Sequence, residues 1–191
     1  FFSNGAGSSP PTGVVRACTV DEAHRVGIEL WAAEAELERV LVRDPRPKTN
    51  GEHGFGIIAF DHDETLVPSR LTLRGGRIER ASQGGLVISG STADVDSVAV
   101  MDTQPTATGS FGVAVSVLTN WQTGGRGSAE MRRILVDGSY ASGVVVGGGD
   151  LVLTDALVRN VKKQLNVDDF GDGIGASSSI VWLPGIIPTS L

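Results

Sequence analysis

A repeat of 58 residues is the feature of this 191-residue sequence that most constrains its fold. Segments that begin with glycine recur at this spacing without gaps: Gly27-Ile28-Glu29-Leu30, Gly85-Leu86-Val87-Ile88 and Gly143-Val144-Val145-Val146. A second set keeps the same spacing: Val42-Arg43-Asp44, Val100-Met101-Asp102 and Val158-Arg159-Asn160. Self-similarity at a fixed period is typical of solenoids, in which equivalent units stack and bury a shared core.

Each repeat unit contains two coils of unequal length. Ile78 and Val136 take the place of Val42 and Val100 in the intervening segments, so that coils of 36 and 22 residues alternate. Twenty-two residues are close to the minimum for three short strands and their turns, at about 3.3 Å per strand residue. We therefore predict an all-β parallel solenoid of about five to six coils, in which the longer coils carry their excess as loops.

The alternation of apolar residues predicts which side chains fill the interior. Because successive coils stack in register, like residues should meet like residues. The predicted interior stack is Ile28, Ile57, Leu86, Val113, Val144 and Ile174. The preceding glycines should form one column that requires either a positive φ or a close backbone approach: Gly27, Gly56, Gly85, Gly112, Gly143 and Gly173.

One segment favours a helix by composition alone. Residues 29–42 are rich in Ala, Glu and Leu, which have high helix propensity. Their counterparts at 87–100 and 145–158 contain several glycines or Ser and Thr residues and are poor helix formers. Since equivalent coils of a solenoid must match, we predict strands in all three segments.

Composition excludes several classes of partner. A net charge of −6 and a sequence pI near 5.0, with no basic run longer than Lys162-Lys163, argue against binding to nucleic acid. The apolar runs are far shorter than the roughly 20 residues needed to cross a bilayer. Cys18 is the only cysteine, so an internal disulfide is impossible. No cofactor is predicted, with calcium at residues 166–172 as the alternative.

The repeat also divides the chain. Residues 1–17 are interpreted as a lead-in or a preceding coil, and residues 18–191 as the solenoid domain. Its three repeat units are predicted at about 18–75, 76–133 and 134–191, because the anchors recur every 58 residues.

The coil sequences, and the segment Val42-Arg43-Asp44-Pro45-Arg46-Pro47 in particular, resemble the right-handed parallel β-helix repeat family, which has a pectin-lyase-like fold. The coil sequences also resemble the repeats of large exported β-helix proteins of myxobacterial type, and the resemblance covers roughly residues 20–176. The resemblance implies a right-handed coil and a location outside the cell or on its surface. It does not fix an activity, since this fold hosts lyases, hydrolases, adhesins and surface proteins.

The long coils place their extra residues on both sides of one strand, at 45–54 and 61–69 and again at 103–110 and 118–127. Stacked coils would then form a trough, and in β-helix polysaccharide lyases and hydrolases this sheet carries the active site. The predicted floor is Glu29, Ile58, Val87, Ala114, Val145 and Gly175. One carboxylate without a second acid or a cation suits neither glycoside hydrolysis nor lyase chemistry.

We therefore predict a non-catalytic structural or binding module that contacts a polysaccharide or an envelope protein. The alternative is a polysaccharide lyase or glycoside hydrolase. Two loops supply the candidate binding residues, which are Asn120, Trp121 and Arg126 on one and Asp61, His62 and Asp63 on the other. Trp121 either stacks on a sugar or folds back over Ala114 or Val145.

The Asp61-His62-Asp63-Glu64 segment is the densest group of potential ligands. It is either a metal or acid–base site or a solvated acidic loop tip, because adjacent residues of an extended loop rarely converge. The segment 166–172 resembles a calcium loop in composition but lacks the closing Glu of an EF-hand. Trp31 and Trp182 are interpreted as caps of turns or of the end of the solenoid, and His24 and His53 as structural or exposed.

Overall fold

The structure is a computed structural model that describes residues 9–49, 51, 53–164 and 171–177, together with the backbone of residues 2–3. The described residues contain fifteen strands and no helix, so none of them belongs to a membrane-spanning helix. The strands are β1 (Phe2–Ser3), β2 (Thr12–Arg16), β3 (Thr19–Asp21), β4 (Val26–Trp31), β5 (Glu34–Glu38), β6 (Leu41–Arg43), β7 (Phe55–Phe60), β8 (Arg70–Glu79), β9 (Gly84–Ser89), β10 (Thr92–Met101), β11 (Val113–Leu118), β12 (Ser128–Asp137), β13 (Ser142–Gly147), β14 (Asp150–Arg159) and β15 (Asp172–Ser177).

The strands form two parallel sheets between which the chain alternates. Sheet A has the order β1-β4-β7-β9-β11-β13-β15. Sheet B has the order β14-β12-β10-β8-β5-β2, and β6 lies between β3 and β8. Each passage of the chain therefore lies beside the previous one, which is consistent with a parallel β-solenoid. The predicted all-β parallel architecture is confirmed, and residues 29–42 form strands.

The register of sheet B follows the predicted alternation of coil lengths. Its first positions pair in the order Thr12, Glu34, Arg70, Thr92, Ser128 and Asp150. Successive members are separated by 22 or 36 residues in turn, which confirms the two-coil repeat. The ladder includes residues 12–16, upstream of the boundary predicted at residue 18.

The register of sheet A corrects one part of the predicted interior stack. Leu86 pairs with Val115, not with Val113, and Val115 pairs in turn with Val144. Val113 pairs with Gly84 and belongs to a second apolar cluster, separate from the main core. The prediction for Val113 was wrong because it followed the glycine at 112, whereas the structure keeps the 58-residue offset between Ile57 and Val115.

The glycine column is corrected in the same way. Its fourth member is Ala114, 58 residues after Gly56, and Ala114 lies in the main core. Gly112 is instead equivalent to Gly54, and the two have φ values of +98° and +93°. Gly112 therefore supplies a left-handed turn before the strand, while the position of Gly56 and Ala114 has a different requirement.

That requirement is a close approach between coils. Phe55 and Ile58 belong to the second cluster, while Ile57 belongs to the main core. A Cβ added to Gly56 would collide with Ile78 Cγ2 in the core and with the carbonyl oxygen of Gly85 in the next coil. Two consecutive residues of the strand therefore face inward, and the first of them must be small.

We predict that Gly56→Ala lowers the free energy of unfolding by about 1–3 kcal/mol, as overpacking does in other cores. The control is Gly75→Asn, at a bend where φ is +62° and an added Cβ meets only Arg39 Cγ at 3.8 Å. Asn tolerates this conformation, so the control should cost less than about 0.5 kcal/mol. Equal losses in urea denaturation would show that close approach is not what excludes side chains at Gly56.

Ion pairs connect neighbouring coils on the outer face of sheet B. Arg80 binds Asp44 through Nε and Nη2 at 2.7 and 2.5 Å, and Arg74 donates two hydrogen bonds to Asp94. The alternation of charges along the sequence predicts such pairs, because adjacent coils bring opposite signs together. Hydrogen bonds from Arg80 and Arg74 lower the pKa of Asp44 and Asp94 below the usual range.

These lowered pKa values predict a loss of stability in acid. The contribution of Asp94 is fully present above the ordinary carboxyl pKa of about 3.9 and is lost as the pH falls through the lower folded value. Asp94→Asn should lower Tm at pH 6 but reduce the further drop between pH 6 and pH 3. Asp155→Asn, on an outer bend without an ion pair among the described residues, is the control. An unchanged acid-induced drop in the Asp94 variant would contradict the assignment.

Candidate functional site

In the described part of the chain, four loops flank sheet A at the places predicted from the coil lengths. Residues 44–49, 51, 53–54 and 61–69 lie on either side of β7, and residues 102–112 and 119–127 lie on either side of β11. The loops therefore border the outer face of sheet A, where the sequence predicts a trough. Whether this face can hold a substrate depends on the residues that point outward between the loops.

The outward residues of sheet A form a second apolar cluster. The central column runs Glu29, Ile58, Val87, Ser116, Val145 and Gly175, so Ser116 takes the place predicted for Ala114. We call the following group the outer apolar cluster: Phe55, Ile58, Val87, Val113, Leu118, Ala141 and Val145, with Val26 and Phe60 packed against them.

The outer face of sheet A is closed to solvent in its central part. Ile58 and Val87 are each 1% exposed, and Ser116 is 2% exposed. The one carboxylate of the central column, Glu29, is paired with Arg25 at 2.5 Å. Among the described residues of the central column there is therefore no pair of facing carboxylates.

Because this face is buried, a charged side chain introduced on it should lower stability more than one introduced at an exposed position. Val87→Asp would place a carboxylate inside the outer apolar cluster and should lower the free energy of unfolding by several kcal/mol. Val152→Asp is the matched control, because Val152 also points outward from a strand but is 61% exposed. It should change stability by less than about 0.5 kcal/mol. Similar denaturation midpoints for the two variants would mean that the face is open.

Asp61 is the most buried carboxylate of the candidate site. It is 3% exposed, so the interpretation of this position as a solvated loop tip is wrong. Its Oδ1 accepts a hydrogen bond from Asn120 Nδ2 at 2.5 Å, and its Oδ2 accepts one from Thr123 Oγ1 at 2.5 Å. We call this arrangement the Asp61 clasp. It joins a loop of one coil to a loop two coils further on.

Small residues make room for the Asp61 clasp. A Cβ added to Gly90 would collide with Asp61 Oδ1, and one added to Gly125 would collide with Oδ2. Sequence analysis missed Thr123, Gly90 and Gly125 because their partner lies more than 25 residues away. The 58-residue offset was the one available clue, since it places His62 and Asn120 at equivalent positions.

His62 is engaged within its own loop. Its Nδ1 accepts hydrogen bonds from the backbone N–H groups of Glu64 and Thr65 at 3.1 and 3.3 Å, and its ring centroid lies 5.7 Å from that of Trp31. Asp63 is exposed. Within the described ranges, no three His, Cys, Asp or Glu side chains are grouped so as to hold a metal ion.

Trp121 and Arg126 lie on the loop that the Asp61 clasp holds. The Trp121 side chain is 42% exposed. Arg126 is paired with Asp150 at 2.8 Å, and both side chains are exposed. The structure thus joins Asp61 and Asn120 directly, and it turns Arg126 toward a different coil. Binding by these residues stays a prediction.

Other candidate residues have structural positions or lie outside the description. His53 is buried, and its backbone N–H donates to Gln83 Oε1 at 2.7 Å. Trp182 and most of the calcium-like segment, residues 166–170, lie outside the described residues; of its acidic side chains only Asp172 is described, and it is exposed.

Comparison with known protein families, with curated proteins and with solved structures finds no match to this chain.

Proposed function

We propose that this chain is a right-handed parallel β-helix module with a pectin-lyase-like fold, and that it serves an exported or cell-surface protein as a non-catalytic structural and binding element. The observation that carries the proposal is the closed, apolar outer face of sheet A. The right-handed coil and the location outside the cell are the consequences expected from the likeness of its repeats to exported β-helix proteins.

The chemistry of the outer face supports a non-catalytic role. Glycoside hydrolysis needs two carboxyl groups about 5–10 Å apart on either side of the scissile bond. Lyase chemistry needs a base together with a cation or metal that binds the substrate carboxylate. The central column of the outer face carries Glu29 alone, and Arg25 already neutralises it. Buried apolar side chains such as Val87 can neither bind nor polarise a sugar.

Binding is best supported at the loop tips. Trp121 presents an exposed indole on residues 119–127, and an aromatic face stacks well on the apolar face of a sugar ring. Leu66 is 58% exposed on the loop of residues 61–69, two coils earlier. We therefore propose that the module contacts a glycan along this edge of sheet A. An envelope protein that binds the same edge is a second outcome of the test below.

The stacked coils support the structural part of the proposal. The core is continuous from β4 to β14, and ion pairs such as Arg80 with Asp44 connect neighbouring coils on the outside. A parallel stack of this kind forms a stiff rod, because each coil is hydrogen-bonded to its neighbours along their length. Such a rod suits a spacer that holds a binding edge at a fixed distance from its anchor.

The purified chain should release no unsaturated or reducing ends from pectin, alginate or neutral glycans, with or without added calcium. It should bind a soluble oligosaccharide weakly in titration calorimetry or NMR. Trp121→Ala should weaken that binding about 2- to 10-fold, the range expected for loss of an aromatic contact. Gln122→Ala, on the same loop tip, is the control.

Two outcomes would contradict this proposal. Turnover that Asp61→Ala abolishes would place an active site at the Asp61 clasp and favour the lyase or hydrolase alternative. Oligosaccharide binding that Trp121→Ala leaves unchanged would remove the loop tip as the binding element. Binding of envelope proteins without any binding of glycans would redirect the proposal to a protein partner.

A further inference from the structure

The loops of residues 61–69 and 119–127 have the same backbone fold, 58 residues apart. In each loop the backbone carbonyl of the second residue accepts a hydrogen bond from the N–H of the sixth, at 2.9 Å for Leu66 to His62 and 2.8 Å for Gly124 to Asn120. Leu66 and Gly124 have φ values of +57° and +74°. The side chains of His62 and Asn120 each accept a hydrogen bond from the backbone N–H two residues on.

The two loops differ in the partners of the hydroxyl at their fifth residue. Thr123 donates to the carboxylate of Asp61, which reaches it from two coils earlier. Thr65 has the equivalent position in the first loop, and its buried hydroxyl has no hydrogen-bond partner among the residues that the structure describes. The position of Gly90 is taken there by Ala32, which is fully buried. The backbone fold of the loop therefore forms without a clasp, and the clasp is an addition to residues 119–127.

The Asp61 clasp binds residues on both sides of Trp121 in the sequence. Asn120 precedes Trp121 and Thr123 follows it by two residues, and both bind the same carboxylate. We propose that Asp61 is a positioning residue, which does not touch the ligand but fixes the loop of residues 119–127 so that Trp121 is held in one orientation. The proposal rests on the binding role of Trp121 given above.

Opening of the loop of residues 119–127 is unfavourable in free energy because it leaves the buried carboxylate of Asp61 without its hydrogen-bond donors. Asp61 has two strong, charge-assisted hydrogen bonds that the loop would lose on opening, and its neighbours Gly90 and Gly125 offer only backbone contacts. The population of open loop should therefore stay low while the carboxylate is intact. Without the carboxylate, residues 119–127 should behave as residues 61–69 do, held by their own backbone hydrogen bonds.

Trypsin cleavage after Arg126 reports loop opening, since the rate of cleavage follows the open population when reclosing is fast. We expect Asp61→Asn and Asp61→Ala to increase the rate of appearance of the fragment that begins at Gly127 at least tenfold. Thr123→Val should also increase the rate, because it removes one donor to Asp61 and the acceptor of the Gly125 N–H. Asp63→Ala, which removes a neighbouring exposed carboxylate, should leave the rate within twofold.

A second measurement follows Trp121 itself. In protein labelled with 5-fluorotryptophan, the ¹⁹F resonance of Trp121 is assigned by its loss in Trp121→Phe. We expect Asp61→Asn to shift or broaden this resonance at temperatures well below Tm, whereas a general loss of stability would broaden it only near the unfolding transition.

Unchanged cleavage and an unchanged Trp121 resonance in folded Asp61→Asn would overturn the positioning role. Neither measurement uses a ligand, so this failure is separate from failure of the proposed function. A loop that opens as expected in Asp61→Asn, in a protein that binds no oligosaccharide, would instead contradict the binding role.

Discussion

The fold depends on the in-register stacking of parallel coils about 4.8 Å apart. Because each residue meets its equivalents in the coils above and below, a requirement at one position recurs along a whole column. The column of Gly56 contains only glycine and alanine, and at Gly56 itself an added Cβ would collide with the carbonyl of Gly85 in the next coil. The same constraint places Asp44 beside Arg80, and it lets a carboxylate at Asp61 reach across Gly90 to a later coil.

The sequence predicts sheet B better than sheet A for a physical reason. Sheet B keeps a spacing of 22 and 36 residues at every step, so a few apolar anchors such as Val42 and Ile78 define its whole register. In sheet A, the sequence prediction assigns Gly112 to the column of Gly56 because it is a glycine. The residue at the equivalent position is Ala114, which is also small and lies in the core. Burial of Asp61 was beyond prediction, because its partners come from a loop two coils away that had to be placed in space first.

Function then depends on which surfaces of the stacked coils are available for binding. The outer face of sheet A is filled by its own apolar side chains, and the ion pairs of sheet B neutralise one another. The loop tips remain, and one of them is fixed by the Asp61 clasp. A loop on a rigid scaffold is the usual place for recognition, and a fixed loop loses less conformational entropy when it binds. The smaller loss of conformational entropy connects the architecture with the proposed binding role of Trp121.

The most direct test of the stacked architecture is a distance between its two ends. Val14 and Val152 are exposed, and both point outward in one column of sheet B, five strand steps apart. Spin labels at these positions, in a protein whose only cysteine is removed by Cys18→Ser, can be measured by double electron–electron resonance. Stacked coils predict one narrow distribution near a backbone separation of about 24 Å, widened only by the label linkers. A broad distribution, or a mean beyond about 40 Å, would contradict the parallel stack on which the account depends.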